Sequence, residues 1–244
     1  MEVWEQIECR VSRRSYLPDS VPPEARTRLE ARMAQLNQDY GLSFAWLEDG
    51  AAAFDGFGKS YGMFRGVRSL ILCKGPAADP DLEEKLGYAG ELLVLEATAL
   101  DLGTCWVGWS YDRKCPLVPL DAGERLALVI AVGLVPADFT RREQFLLGVL
   151  HRRERGRGAI QAPSGETLPD WFVRGVSAVL RAPSARNRRP WRIAYHDGSV
   201  RLTLTERKAF ALVDLGIAKA HFVLAAGGQF DWGDGGTYTR DAGE

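Results

Sequence analysis

Arg13-Arg14-Ser15 places two guanidinium groups and a hydroxyl on adjacent residues. Arginine offers a planar fork of donors that matches phosphate or carboxylate oxygens, so the triplet predicts an anion cradle just after a short helical stretch. A second constellation is Ala182-Pro183-Ser184-Ala185-Arg186-Asn187-Arg188-Arg189-Pro190-Trp191. Two prolines constrain it between a helix and a strand. It holds out the Ser184 hydroxyl and the Asn187 amide, and an amide both donates and accepts, which suits the edge of a heterocycle. A rigid turn of this kind, where loops usually vary, suggests a binding site. Cys105, in Gly103-Thr104-Cys105-Trp106-Val107-Gly108, is a candidate nucleophile. With no His near it in sequence, the simpler expectation is a small buried hydrophobe. His221 lies mid-helix among apolar residues and is expected to be a satisfied core residue.

Other motifs fall short of chemistry. Ala53–Ser60 nearly matches a phosphate-binding loop, but Ala53 replaces the first glycine and no strand precedes it. Gly56, Gly58 and Gly62 miss the dinucleotide fingerprint by one residue. Both are expected to be loop. Arg152, Arg153, Arg155 and Arg157 form a basic cluster diluted by Glu154, read as a solvated linker with contact to a bound phosphate as the alternative. Cys9, Cys73, Cys105 and Cys115 are scattered, as are His151, His196 and His221, so no metal site is expected.

The elements that must position these residues follow from local pattern. Residues 20–41 predict a helix capped by Ser20 or Asp19, with Leu29, Met33 and Leu36 on one stripe and Gly41 as its stop. Residues 48–64 predict a loop. Ser69–Cys73 predicts a buried strand ended by Lys74-Gly75-Pro76. Residues 80–102 predict a helix apolar on most sides, hence central, capped by Asp79 or Asp81 and stopped by Gly103. Leu126–Val132 is a second buried strand. Residues 141–169 read as a linker. Asp170–Leu180 is a helix, Trp191–Tyr195 and Val200–Leu204 form a hairpin around Asp197-Gly198, and Asp214–Ala226 is a last apolar helix. Gly87–Trp106 and Leu215–Trp232 share a small-residue start, an apolar helix, a glycine stop and an aromatic tail.

Composition bounds the class. The chain has 244 residues, 46% hydrophobic and 26% charged, with a formal net charge of −1. That balance excludes a disordered chain or a disulfide-dense scaffold and gives no charge excess to attract nucleic acid or a membrane. The longest apolar run, residues 126–137, is shorter than the ~20 residues a membrane span needs, and the N-terminus has no apolar signal core. A cytoplasmic protein is expected.

Together, Arg13-Arg14-Ser15, Ala182–Trp191 and the segment Leu100–Gly108 resemble the R-R-S-x-R, A-P-S-x-x-N-x-Q-P-W and G-L-G-T-C-W-x-G motifs of the nitroreductase family of flavin enzymes. In the usual member the A-P-S-x-x-N turn precedes the G-T-C-W segment, and the cofactor sits between two subunits. Here the turn follows, which is similar to a subgroup in which one chain supplies both pseudo-subunits. The resemblance implies an α+β, nitroreductase-like fold of mixed and antiparallel sheets with central buried helices, arranged as an internal pseudo-dimer. It implies a first half over 1–150, a linker over 151–169 and a shorter second half over 170–244, packed as one compact unit. The implied cofactor is FMN. Arg13, Arg14 and Ser15 would grip its phosphate and ribityl chain, and the backbone of Cys105, Trp106, Val107 and Gly108 would face its reactive edge. Pro183, Ser184, Asn187 and Arg189 would come from the second half. The implied activity is two-step, ping-pong transfer from NAD(P)H to a nitroaromatic, quinone or flavin acceptor, with no essential acid–base residue. A monomer or a homodimer is expected. Leu17 stands where the family often has a basic residue and Arg189 where it has Gln, which favours the alternative of a flavin-binding protein without reductase turnover.

Overall fold

The computed structural model describes residues 1–54, 62–111, 119–151, 159–162 and 167–241. Cys115, the Arg152–Arg157 cluster and most of the loop motif over 53–60 lie outside them. The chain divides into two compact units. A four-stranded unit comprises Cys9–Leu82 and Leu93–Val149, and a three-stranded unit comprises Met1–Glu8, Glu83–Leu92 and Leu150–Glu244. Two segments of the N-terminal half, Met1–Glu8 and Glu83–Leu92, group with the C-terminal part.

In the four-stranded unit, helix α2 (Pro23–Tyr40), which follows the short α1 (Val3–Cys9), buries Ala25, Leu29, Met33 and Leu36 as the stripe predicts. Gly41 ends it in the left-handed conformation (φ 66°), its N–H returning to Asn37 O. Neither Ser20 nor Asp19 caps it. Pro22 occupies the cap position without a side-chain bond, because Pro23 and Pro22 already set the entry angle. The sheet has the order β1 (Ala45–Leu47), β2 (Ser69–Pro76), β4 (Glu124–Gly133), β3 (Gly103–Val107), antiparallel throughout. β1 lies just before the expected loop, which itself opens with a 3-10 turn over Gly50–Ala53. β2 does not stop at Lys74. A register shift between Cys73 and Lys74 absorbs the irregularity, and pairing runs on to Pro76. Leu70, Ile71, Leu72 and Cys73 are all fully buried, as a strand covered on both faces requires.

Helix α3 (Leu82–Ala99) has the expected apolar girth, with Leu82, Leu86, Ala89, Leu93 and Ala97 fully buried. It ends before Gly103. Leu100 caps it, Asp101 turns left-handed (φ 58°), and Gly103 opens β3 instead. The segment from Arg141, expected to be linker, begins with helix α4 (Arg141–His151).

In the three-stranded unit, β5 (Ala159–Gln161) runs parallel to β6 (Trp191–His196), which forms the expected hairpin with β7 (Ser199–Leu204). Helix α5 (Asp170–Val179) packs on α6 (Ala211–Ala226), and β8 (Gln229–Phe230) pairs with β9 (Tyr238–Thr239). The Glu83–Leu92 part of α3 meets α6 almost backbone to backbone. A Cβ on Gly87 would lie 2.1 Å from Val213 O, and one on Gly216 would lie 2.0 Å from Glu84 O. The shared small-residue starts of the two segments are thus where their helices touch. No helix among the described residues is long and apolar enough to cross a membrane.

Candidate functional site

The four-stranded unit brings Arg13–Ser15 beside the Gly103–Gly108 segment. Ser12 forms a parallel bridge with Thr104, and Arg13 N–H donates to Thr104 O at 2.8 Å. Gly103 permits this approach, since a Cβ there would lie 2.2 Å from Val135 Cγ1 and 3.0 Å from Arg13 Cγ. β3 is an edge strand, and backbone alternation turns the Thr104 and Trp106 peptide groups toward its outer side. The Cys105 and Val107 side chains are buried in the apolar cluster with Tyr16, Leu72 and Val129.

The backbone cradle is filled from within. Glu143, only 2% exposed, accepts through Oε1 from Arg14 N at 2.9 Å, Ser15 N at 3.1 Å and Arg13 Nε at 3.2 Å. Its Oε2 accepts from Thr140 N and Oγ1, both at 3.1 Å, while Glu143 N donates to Thr140 Oγ1. Arg13 Nη2 donates to Pro136 O at 2.9 Å, and its guanidinium lies 4.7 Å from the Phe139 ring centroid. Ser15 Oγ meets Thr140 Oγ1 at 3.2 Å. Burial works to raise the Glu143 carboxyl, but the donors from Arg14, Arg13 and Thr140 outweigh it and hold the group below its ordinary value. Arg13 thus holds the 136–143 segment. Arg14 differs, because its Nε is buried with no hydrogen-bond partner. Glu143 was legible in the sequence: Thr140-Arg141-Arg142-Glu143 is a capping box, a helix-start signal hidden inside an arginine-rich run.

Cys105 is 3% exposed, and burial raises its thiol, with the Arg14 charge and a bond from Ser12 opposing. A protonated buried thiol is a poor nucleophile, in keeping with the core reading.

The Pro183–Arg189 turn belongs to the three-stranded unit. Arg186, Asn187 and Arg189 all have positive φ, at 57°, 54° and 49°. Asn tolerates that region, whereas each arginine costs about 1–2 kcal/mol there. Four bonds hold the turn: Asn187 N to Ser184 O at 2.9 Å, Arg188 N to Ala185 O at 3.3 Å, Arg189 N to Ser184 Oγ at 2.9 Å, and Ala185 N to Asp214 Oδ1 at 2.9 Å. Asp214 is 4% exposed. Burial pushes its carboxyl up to about 8, with the Ala185 N–H and Arg188 opposing and Glu206 adding. With a folded value above the unfolded one, its contribution to stability is full below the ordinary carboxyl range and is lost progressively as pH rises from there to about 8. Arg189 Nε and Trp191 Nε1 are buried without partners. His221 is satisfied, its ring nitrogens facing Glu91 Oε1 at 2.9 Å and Ala178 O at 3.1 Å.

Arg14 Nε, Arg189 Nε and Trp191 Nε1 are all donors. Within the four-stranded unit, Arg14 Nε suits an anionic acceptor such as a phosphate oxygen, and within the three-stranded unit Arg189 Nε and Trp191 Nε1 suit hydroxyl or carbonyl acceptors. Among the described residues no group of three or more His, Cys, Asp or Glu could hold a metal ion.

A sequence model of the family described as "Putative TM nitroreductase" matches residues 2–226. Among solved structures, a "putative nitroreductase" from Thermotoga maritima is 22% identical, covering 98% of this chain and 92% of that chain, with a TM-score of 0.61. That likeness shows the fold. A nitroreductase with bound FMN from Bacteroides fragilis is 15% identical over 58% of this chain and 92% of its own, with a TM-score of 0.46. A "putative nitroreductase" in complex with FMN from Desulfovibrio desulfuricans is 25% identical over 58% and 94%, with a TM-score of 0.41. No curated protein matches.

Proposed function

The chain belongs to the nitroreductase family whose sequence model spans residues 2–226, and from that premise we propose that it is an FMN-dependent NAD(P)H oxidoreductase acting in the cytoplasm. Bound FMN would supply reversible two-electron chemistry, taking a hydride from NADH or NADPH and passing the electrons in ping-pong fashion to a nitroaromatic, quinone or flavin acceptor. The observation that carries this reading is the buried, partnerless Nε of Arg14 in the segment alongside β3. In the proposal Arg14 takes the phosphate, and Ser15 and Arg13 fix the segment that presents it. The Cys105–Gly108 backbone orients the ring edge. Pro183, Ser184, Asn187 and Arg189 are proposed as further cofactor contacts, each to be tested by substitution. No side chain is assigned a proton transfer. Cys105→Ala is therefore expected to leave turnover within about threefold of the parent, since a neutral buried thiol contributes packing alone.

Titration of the cofactor-free chain with FMN, followed by flavin fluorescence, tests the assignment. Arg14→Ala is expected to weaken binding about tenfold to a hundredfold, the scale of a hydrogen bond to a charged group. Equal affinity in parent and variant would remove Arg14 from the site. The same titration should saturate at one FMN per chain, and light scattering would decide between monomer and homodimer. Leu17, exposed and without charge, favours one second reading, a flavin-binding protein without turnover. It would show as bound FMN that neither NADH nor NADPH reduces.

A further inference from the structure

We infer that Asp214 is a positioning residue for the Ala185–Arg189 turn, holding it in its left-handed form through the Ala185 N–H, and so governs the presentation of Ser184 and Asn187. Three left-handed non-glycine residues within four positions do not form from local preference, so something outside the turn must hold them. Ser184 Oγ supplies one bond from within. From another element, Ala185 N donates to Asp214 Oδ1 at 2.9 Å.

Asp214 is well placed for this task. It occupies the first turn of α6, where an acidic side chain ordinarily serves the helix's own N–H groups, yet no side chain caps this helix. Its backbone N–H is already spent on Phe210 O at 2.9 Å. The carboxyl instead crosses 29 residues of sequence to the turn. The close passage of Gly87 against Val213 fixes the start of α6, so the acceptor is held on a rigid element. Charged neighbours do not compete for it. Arg188 lies on the turn itself, Glu206 is paired with Lys208, and on α3 Glu84 is paired with Lys219 while Glu91 faces His221. Burial favours the neutral form of Asp214, so an asparagine amide, with the same acceptor oxygen, should replace it.

Amide hydrogen exchange on the cofactor-free chain tests this without any turnover. Asp214→Ala should speed exchange across residues 185–189 by about tenfold or more, the scale of one lost bond to a buried group. Exchange in β6 and β7 should change far less, and Asp214→Asn should restore parental rates within about threefold. Adding Arg186→Gly to Asp214→Ala should recover part of the protection by removing left-handed strain. Unchanged rates at 185–189 in Asp214→Ala would overturn the inference. So would an equal rise throughout β6 and β7, or an Asn variant as fast as the Ala variant. The consequence for Ser184 and Asn187 rests on the FMN proposal: Asp214→Ala should weaken FMN about tenfold and Asn should not. If the parent binds no FMN while the exchange pattern holds, the cofactor proposal fails and the positioning role stands.

Discussion

Glu143→Ala is expected to destabilise the four-stranded unit by about 3–5 kcal/mol, the cost of stripping one partner from a buried ion pair. One carboxylate oxygen serves Arg13 Nε, Arg14 N and Ser15 N, and the other serves Thr140. Removing it takes away the charge partner of a guanidinium that is itself 8% exposed and the acceptor of its Nε, and leaves two backbone donors unpaired. Glu143→Gln keeps an acceptor oxygen and loses the charge, so about 1–2 kcal/mol is expected. The pH dependence has a definite sign. The folded carboxyl is held below its ordinary value, so its contribution is present above the unfolded value and is lost as pH falls through the folded one. Urea unfolding at neutral and acid pH checks both statements. The parent should lose stability in acid more steeply than Glu143→Gln. A cost below about 1 kcal/mol for Glu143→Ala would show that the segment is held by other means.

Lys219→Ala is expected to have a comparable effect on the three-stranded unit, about 3–5 kcal/mol. Lys219 is fully buried, and its three ammonium protons go to Glu84 Oε1 at 2.5 Å, Asp231 O at 2.8 Å and Gly233 O at 2.9 Å. Glu84 Oε2 in turn accepts from Gly233 N at 2.8 Å. The pair therefore ties the Asp231–Gly233 turn to α3 and α6. Truncation strands a buried carboxylate and two carbonyls. Replacing both partners, as Lys219→Met with Glu84→Met, removes the unpaired charge and should recover much of the loss. Thermal unfolding of the single and double variants measures this. A double variant no better than Lys219→Ala would mean that the bonds to the turn, and not the stranded charge, set the cost.

What the sequence made legible was local. The stripe Leu29, Met33, Leu36, the apolar girth of α3 and the Asp197-Gly198 hairpin depend on spacing over a few residues, and each stands where that spacing puts it. Gly41 ends α2 for the same reason. What escaped was set by tertiary contact. The burial of Glu84, Glu91, Glu143, Asp214 and Lys219 depends on partners that lie far along the chain. α4 was hidden by its arginines, although its capping box was visible. Part of the candidate site was readable as residue type: the Arg13–Ser15 and Gly103–Gly108 motifs do adjoin within one unit. The split between Arg13, turned toward Glu143, and Arg14, with a buried partnerless nitrogen, could not be read from two identical letters.

The absorption spectrum of the purified chain, recorded anaerobically before and after adding NADH or NADPH, tests the functional proposal most directly. The expected result is an oxidised-flavin spectrum at one FMN per chain that bleaches with the nicotinamide and returns when a quinone or nitroaromatic is added. A colourless chain that takes up no added FMN would contradict it.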